Sequence, residues 1–268
     1  MQLELFDREG DGQIALEDVF SAYYECRKNK RRTINALAFE ADFEENLIQL
    51  WREINDRSYQ PGKSIAFVVT EPVKREVFAA DFRDRIVHHL IIRKLNDLFE
   101  AQFIDDSYSC REGKGSLYGV KRIAEFIRIC SDNYAKDCYI LKMDIQSFFM
   151  SIDKKILFQK LREFVLANYH EIDKPLVVEL IYKIIFNNPE ENCHIKGRRK
   201  DWSGLPKSKS LFTVEKGKGL PIGNLTSQIF ANFYLNFFDK FVTETCGIRF
   251  YGRYVDDFVI VHEDKDFL

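Results

Sequence analysis

The chain has 268 residues, of which 46% are hydrophobic and 14% aromatic, with 24 Phe and a formal net charge of −2. This composition excludes a disordered chain and predicts a sizeable buried core, in one large domain or two closely packed lobes. The near-balanced charge excludes global basicity as an argument for a nucleic-acid partner, which has to be argued from local patches instead.

In chain order, residues 15–27 read as a helix with Leu16, Phe20, Tyr23 and Tyr24 on one side. A second helix is predicted over 41–56, where Leu47, Leu50, Trp51 and Ile54 recur at helical spacing. Ile65–Val69 and Glu76–Ala79 are short strands forming a hairpin around Glu71-Pro72. Long helices follow over 83–100 and 116–130, and Tyr139–Met143 is a buried strand closed by Asp144. Residues 154–167 and 174–187 are helices with broad apolar faces. The stretch 188–219 is polar, basic and aperiodic, the pattern of a functional or mobile loop. A helix near 225–242 leads into the last hairpin. There is no internal repeat, low-complexity tract or clear linker, so two lobes would interleave in sequence.

Six cysteines, at 26, 110, 130, 138, 193 and 246, include no Cys-x-x-Cys pair and read as reduced thiols of a cytoplasmic protein. Cys193-His194 lacks a second pair with zinc-ligand spacing. The sequence predicts no signal peptide and no apolar run of the roughly 20 residues that span a bilayer, hence no membrane partner. Two basic clusters stand out, Arg27/Lys28/Lys30/Arg31/Arg32 and Lys196/Arg198/Arg199/Lys200. Each is either a solvated face or a patch for phosphate. Asp7–Asp18 imitates a calcium-binding EF-hand loop, with acids at positions 1, 3, 5 and 12, Gly12 at position 6 and Ile14 at position 8. Only six residues precede it and no second loop pairs with it, so a solvated turn entering the first helix is the expectation.

The most informative feature is Tyr254-Val255-Asp256-Asp257, two adjacent acids between the apolar runs Ile248–Tyr254 and Phe258–Val261. Both runs read as strands, and a tight hairpin between them presents the carboxylates at its tip. Asp is common in turns, so a plain polar turn is the alternative. Paired carboxylates on rigid strands suit Mg²⁺, which completes its shell with substrate phosphates, and polymerases use two such ions for in-line displacement at phosphorus. Asp144, at the end of the strand before Ile145, is the candidate third acid, with a helix cap as its alternative. It lies 112 residues before Asp256, so only the fold can join them.

The pattern Asp144-x-x-x-Phe148-Phe149-x-Ser151-Ile152, together with Tyr254-Val255-Asp256-Asp257, resembles the palm motifs of reverse transcriptases. Gly219-Leu220-Pro221-Ile222-Gly223-Asn224-Leu225-Thr226-Ser227-Gln228 is similar to the corresponding segment in reverse transcriptases of diversity-generating retroelements. Retroviral and group II intron enzymes usually carry Gln at the place of Ile222, and Ser-Pro where this chain has Ser227-Gln228. Arg75–Arg85, Tyr108–Gly115 and the stretch holding Trp202, Gly204-Leu205-Pro206 and Lys209–Phe212 resemble the same group, so that the likeness runs from about residue 16 to the end.

The resemblance implies an α+β right-hand polymerase fold of fingers (mainly 1–100 and 155–215) and palm (mainly 101–154 and 216–268), with the thumb missing from this sequence. It implies RNA-directed DNA synthesis with two Mg²⁺ ions on Asp144, the Ile145 backbone, Asp256 and Asp257. Template RNA, primer, deoxynucleotides and a small basic accessory protein are the implied partners. Arg75, assisted by Lys74, would hold the incoming triphosphate. Phe149, with Phe148 beside it, would lie beneath the sugar and exclude a 2′-OH. Tyr254, Ile222, Gly223 and Gln228 would line the nucleotide site. Arg83, Arg85, Arg111, Lys114 and Asn224 would contact nucleic acid, and the basic loop 196–218 would track a backbone. Ile222 neither donates nor accepts a hydrogen bond, so the resemblance implies low fidelity, above all opposite template adenine. The alternatives are a defence-type or intron-type reverse transcriptase and an inactive, truncated nucleic-acid-binding remnant. A chain lacking the thumb is expected to show little processive synthesis.

Overall fold

The structure, a computed structural model, describes residues 12–28 and 33–268. Residues 7–11 of the EF-hand-like loop, and Lys30, Arg31 and Arg32 of the first basic cluster, lie outside them. The architecture is α+β: nine α-helices and six strands among the described residues, divided into two compact units. The first is Met1–Leu98 with Phe149–Ser227, and the second is Phe99–Phe148 with Gln228–Leu268.

The first unit opens with α1 (Leu16–Arg27), α2 (Ile34–Glu40) and α3 (Phe43–Asn55). Helix α2 is absent from the sequence reading because its seven residues are too few for a periodic apolar face; Thr33 caps it by accepting the Ala36 N–H. Val19, Ala22 and Tyr23 of α1 and Leu47, Leu50 and Ile54 of α3 are buried, as their spacing predicts. Strands β1 (Ser64–Val69) and β2 (Arg75–Ala79) form the expected antiparallel hairpin. Helix α4 (Phe82–Gln102) follows, its first turn capped by Asp81, which accepts the Arg83 N–H at 3.1 Å.

After α6 (Phe148–Ser151), Asp153 caps α7 (Lys154–Asn168) by accepting the Lys155 and Ile156 N–H groups at 2.8 and 3.0 Å. Helix α8 (Lys174–Ile185) begins with Pro175 in its first turn, where a missing N–H costs nothing. The stretch 188–219 is more ordered than its aperiodic sequence suggests. Strand β4 (Cys193–Ile195) adds to β1 in parallel, giving the order β2-β1-β4, and three short 3₁₀ turns follow within 199–213. One buried carboxylate accounts for this order. Glu76 of β2 accepts the Trp202 indole N–H at 2.6 Å, the Ser210 hydroxyl at 2.8 Å and the Leu211 N–H at 2.6 Å.

The second unit carries α5 (Ser116–Cys130) and the sheet β3-β6-β5, built from β3 (Tyr139–Asp144), β5 (Tyr251–Tyr254) and β6 (Asp257–His262). Helix α9 (Leu225–Lys240) ends in a π-helical turn, Phe241–Thr245, before β5. Phe126 of α5 packs on Phe250, with ring centroids 5.5 Å apart, and Phe238 of α9 on Phe258 at 5.3 Å. Strand β3 is not buried as its apolar run predicts. It is an edge strand with one face on the core, so that Leu141 packs inward while Ile140 is 53% exposed. The expectation failed because a fully apolar run and a half-covered edge strand read alike in sequence. All six cysteines are free thiols, and no helix among the described residues is long and apolar enough to cross a membrane.

Candidate active site

The second unit assembles the acids. Antiparallel pairing sets Asp144, the last residue of β3, directly opposite Asp257, the first of β6. Residues in such a pair share a face of the sheet. The Ile145 N–H then donates to the Asp256 carbonyl at 3.2 Å, so the exit of β3 is stitched to the hairpin turn. Like charges directly opposite each other oppose pairing. Lys142, two residues back on the same face, offsets this weakly, its Nζ 3.4 Å from Asp257 Oδ1 in an exposed setting.

The turn itself is tight and strained. Tyr254 pairs with Asp257, leaving Val255 and Asp256 as the two turn residues. Val255 takes φ 58°, a left-handed conformation that costs a β-branched residue roughly 1–3 kcal/mol and persists only when its surroundings impose it. Arg253 imposes it. Fully buried in β5, its guanidinium donates to the Val255 carbonyl at 2.8 Å, to both oxygens of Asp239 at 2.7 and 2.6 Å, to Asn232 Oδ1 at 3.2 Å and to Ser107 Oγ at 3.2 Å. Asp239 also accepts from the Tyr251 hydroxyl at 2.6 Å; burial, then the Asp239 charge, holds that phenol above its ordinary range. Residues 106–108 add to β5 beside it, with the Tyr108 N–H on the Arg253 carbonyl and the Arg253 N–H on that of Asp106. The Tyr108 ring lies so close to Gly119 and Gly252 that a Cβ at either would collide with it. The sequence reading missed this network. Its signal was an Arg inside an otherwise apolar strand, three residues before Asp256, with no reason to be there unless a partner is buried with it.

Asp144 is exposed, and Asp256 and Asp257 are half-buried. Among the described residues no three His, Cys, Asp or Glu side chains converge as a metal cluster. The donors are nevertheless all hard carboxylate oxygens, two of them in cross-strand register. Mg²⁺ usually takes one or two carboxylates, keeps several waters and completes its shell with substrate phosphates, and this open set fits that mode rather than a closed cage.

The other expected residues divide by what they touch. In the first unit, Arg75 opens β2 exposed, and its side chain makes no hydrogen bond or ion pair with a described residue. Lys74 donates to the Ser203 carbonyl at 2.6 Å and so ties the loop after β4 to the hairpin. Ile222 packs on the cluster of Ala66, Phe78, Met150 and Leu211, as does Phe149, and its carbonyl accepts the Phe78 N–H at 2.8 Å. Gly223, at φ 116°, lies where a Cβ would be 2.6 Å from Val77. Its small size thus serves the close approach to β2.

Other expected contact residues have partners within their own units. Asn224 is buried, and its Oδ1 accepts the Ala80 N–H at 3.0 Å, which fixes the end of β2. Phe148 is 3% exposed. Arg111 has only 5% of its side chain exposed and is spent on Glu100 at 2.8 Å and the carbonyls of Ile104 and Ser107. Arg83 pairs with Glu53 over the Tyr59 ring, Arg85 donates to the Ala80 carbonyl, and Lys114 is held by Asp105. Each of these four cations thus has a partner within its own unit. In the second unit, Gln228 is exposed and accepts from Cys110 Sγ at 3.3 Å, and Tyr254 is exposed beside the turn.

Comparison with known families decides the identity of this arrangement. Residues 74–268, most of the chain and all of the acids just described, match the family model "Reverse transcriptase (RNA-dependent DNA polymerase)". The chain belongs to the reverse transcriptase family. Among solved structures, a partial Cas6-RT-Cas1–Cas2 complex is similar at 20% identity and TM-score 0.45, covering 93% of this chain and 37% of that one. Telomerase from Candida albicans, in complex with a fragment of telomeric RNA, is similar at 13% identity and TM-score 0.44, covering 76% of this chain and 39% of that one. This reverse transcriptase chain thus spans well under half the length of the solved chains it matches. No curated protein matches it.

Proposed function

We propose that this protein is an RNA-directed DNA polymerase that adds deoxynucleotides to a primer 3′-OH on an RNA template. The observation that carries the proposal is the register that sets Asp144 against Asp257 with Asp256 in the adjoining turn, in a chain of the reverse transcriptase family. Asp144, Asp256 and Asp257, with the Ile145 backbone, would hold Mg²⁺. Two such ions, when bound, would lower the pKa of the attacking hydroxyl and neutralise the leaving pyrophosphate. The chain's own part is positioning and charge. The acids would gather the hydroxyl and phosphate ends of the reaction on one rigid sheet edge, and Arg75, whose side chain has no partner among the described residues, would offer a planar donor pair to the triphosphate.

The retroelement likeness carries the finer reading. Ile222 offers no hydrogen bond to a nascent base pair, which supports synthesis that is error-prone opposite template adenine, as in mutagenic retrohoming with a small basic accessory protein. The fingers assignment fits the first unit and the palm the second.

Primer extension by the full chain on an RNA template with Mg²⁺ tests this reading. Short, non-processive extension is expected, with Asp256→Ala lowering it about 10²-fold or more. Misincorporation is expected to concentrate at template adenines and to fall in Ile222→Gln. Extension retained by Asp256→Ala removes the catalytic assignment. RNA binding without any extension favours the nucleic-acid-binding remnant instead.

A further inference from the structure

The Glu76-clamped loop of the first unit, whose expected role was backbone contact alone, also lines an open cavity of about 380 Å³. Its walls include Trp202, Leu205 and Phe212, and its lining also carries Arg199, Lys207 and Thr213. The rings of Trp202 and Phe212 stand edge to face, with centroids 6.0 Å apart, and Phe212 is 41% exposed. Arg199 and Lys207 are exposed, and neither side chain is in an ion pair with a described residue. The neighbouring acid is already committed, since Asp201 accepts the Arg198 N–H at 2.8 Å. Aromatic rings beside cations that have no ion-pair partner among the described residues match a heteroaromatic ring carrying a phosphate.

We infer that this cavity is a nucleotide-binding site, occupied by one unpaired base of a single strand with its phosphate on Arg199 and Lys207. Three observations support that occupant. The volume lies at the lower end of the roughly 300–1,000 Å³ of small-ligand sites, which suits one nucleotide and little more. Residues 196–218 hold eight Lys and Arg against two acids, so a polyanion meets favourable charge on both sides of the cavity. The walls are also preformed: Glu76 holds the Trp202 indole, Ser210 and the Leu211 backbone before any ligand arrives. Stacking on aromatic rings tolerates any base, so the site would grip a single strand without reading its sequence. This inference extends the polymerase reading, because such an enzyme has single-stranded template to hold, but it is tested without catalysis.

The test is binding of the full chain to a fluorescein-labelled single-stranded RNA, read by anisotropy. Phe212→Ala and the double variant Arg199→Gln/Lys207→Gln are each expected to weaken binding about tenfold. Lys155→Ala, an exposed lysine on α7 outside this loop, should change it less than about twofold. A 5-iodouridine RNA should photocrosslink to a peptide holding Trp202 or Phe212. Competition by a free mononucleotide separates the two sources of the ligand: displacement at millimolar concentration indicates free nucleotide, and resistance indicates a base within a strand. Crosslinks that map elsewhere, or a Phe212→Ala effect no larger than that of Lys155→Ala, overturn the inference. Either result leaves the Asp256 experiment untouched, so failure here is distinct from failure of the polymerase assignment.

Discussion

Arg253 is the residue on which the acidic turn depends. All five of its guanidinium N–H groups have acceptors, and one of them is the carbonyl of the strained Val255 that precedes Asp256. Lysine would preserve the charge opposite Asp239 but offers three donors from a single point, and it cannot span Asp239 and Val255 together. Arg253→Lys is therefore expected to fold and yet to lower the turnover of primer extension about 10–100-fold, with KM for deoxynucleotide unchanged. Arg253→Met leaves Asp239 buried without its partner and is expected to lose roughly 3–5 kcal/mol of stability. Steady-state kinetics beside denaturant melts separate the two roles. If Arg253→Lys loses stability but keeps its rate per folded molecule, the residue is structural and does not position the turn. The sequence displayed the acids but not this support: Asp239 is 14 residues upstream on a helix, and no spacing rule links it to Arg253.

Elements with a full apolar period were legible. The spans expected over 15–27, 83–100 and 116–130 agree with α1, α4 and α5 to within two residues, and the β1–β2 hairpin lies where its flanking turn residues put it. What escaped was order imposed from a distance. The loop after β4 carries no periodicity because its 3₁₀ turns are organised by Glu76, more than 120 residues earlier in the chain, rather than by neighbours. Removing that organiser should loosen the loop and leave the hairpin intact. Glu76→Gln places an amide N–H₂ where a donor already points, either Leu211 N–H or the Trp202 and Ser210 pair, and should cost about 1–3 kcal/mol locally. Amide exchange at Leu211 is expected to speed up at least about tenfold. The ladder amides between β1 and β2 should stay protected. Equal acceleration in both would mean that Glu76 supports the whole sheet and that the loop has no separate stability.

For the molecule as a whole, the expectation of lobes interleaved in sequence meets two compact units, each built from two separate stretches of the chain. The sequence did not show which polar residues the fold engages. Arg83, Arg111 and Asn224 read as ligand contacts in a linear string, and the fold also gives each of them a partner of its own. His88 is a further buried polar group of this kind, and it gives stability a pH dependence. It is buried on α4 with Nδ1 3.0 Å from Thr226 Oγ1, and burial first, then the His89 and Arg85 charges, lowers its pKa to about 3. The unfolded chain binds this proton below about pH 6.5 while the folded chain does not, so stability falls as pH drops through that value and continues to fall towards the folded pKa. The slope attributable to one such group is about 1.4 kcal/mol per pH unit, or about 2 kcal/mol between pH 7 and 5. His89 is shifted the same way, whereas Asp84, raised by burial, acts oppositely at lower pH, so the total curve mixes several groups. His88→Gln isolates one of them: it can keep the bond to Thr226 and takes up no proton. Denaturant melts at pH 7 and 5 should show the wild type losing about 2 kcal/mol more than the variant. Equal losses would mean that His88 gains its proton in the folded state, and that the helix around Thr226 opens to admit it.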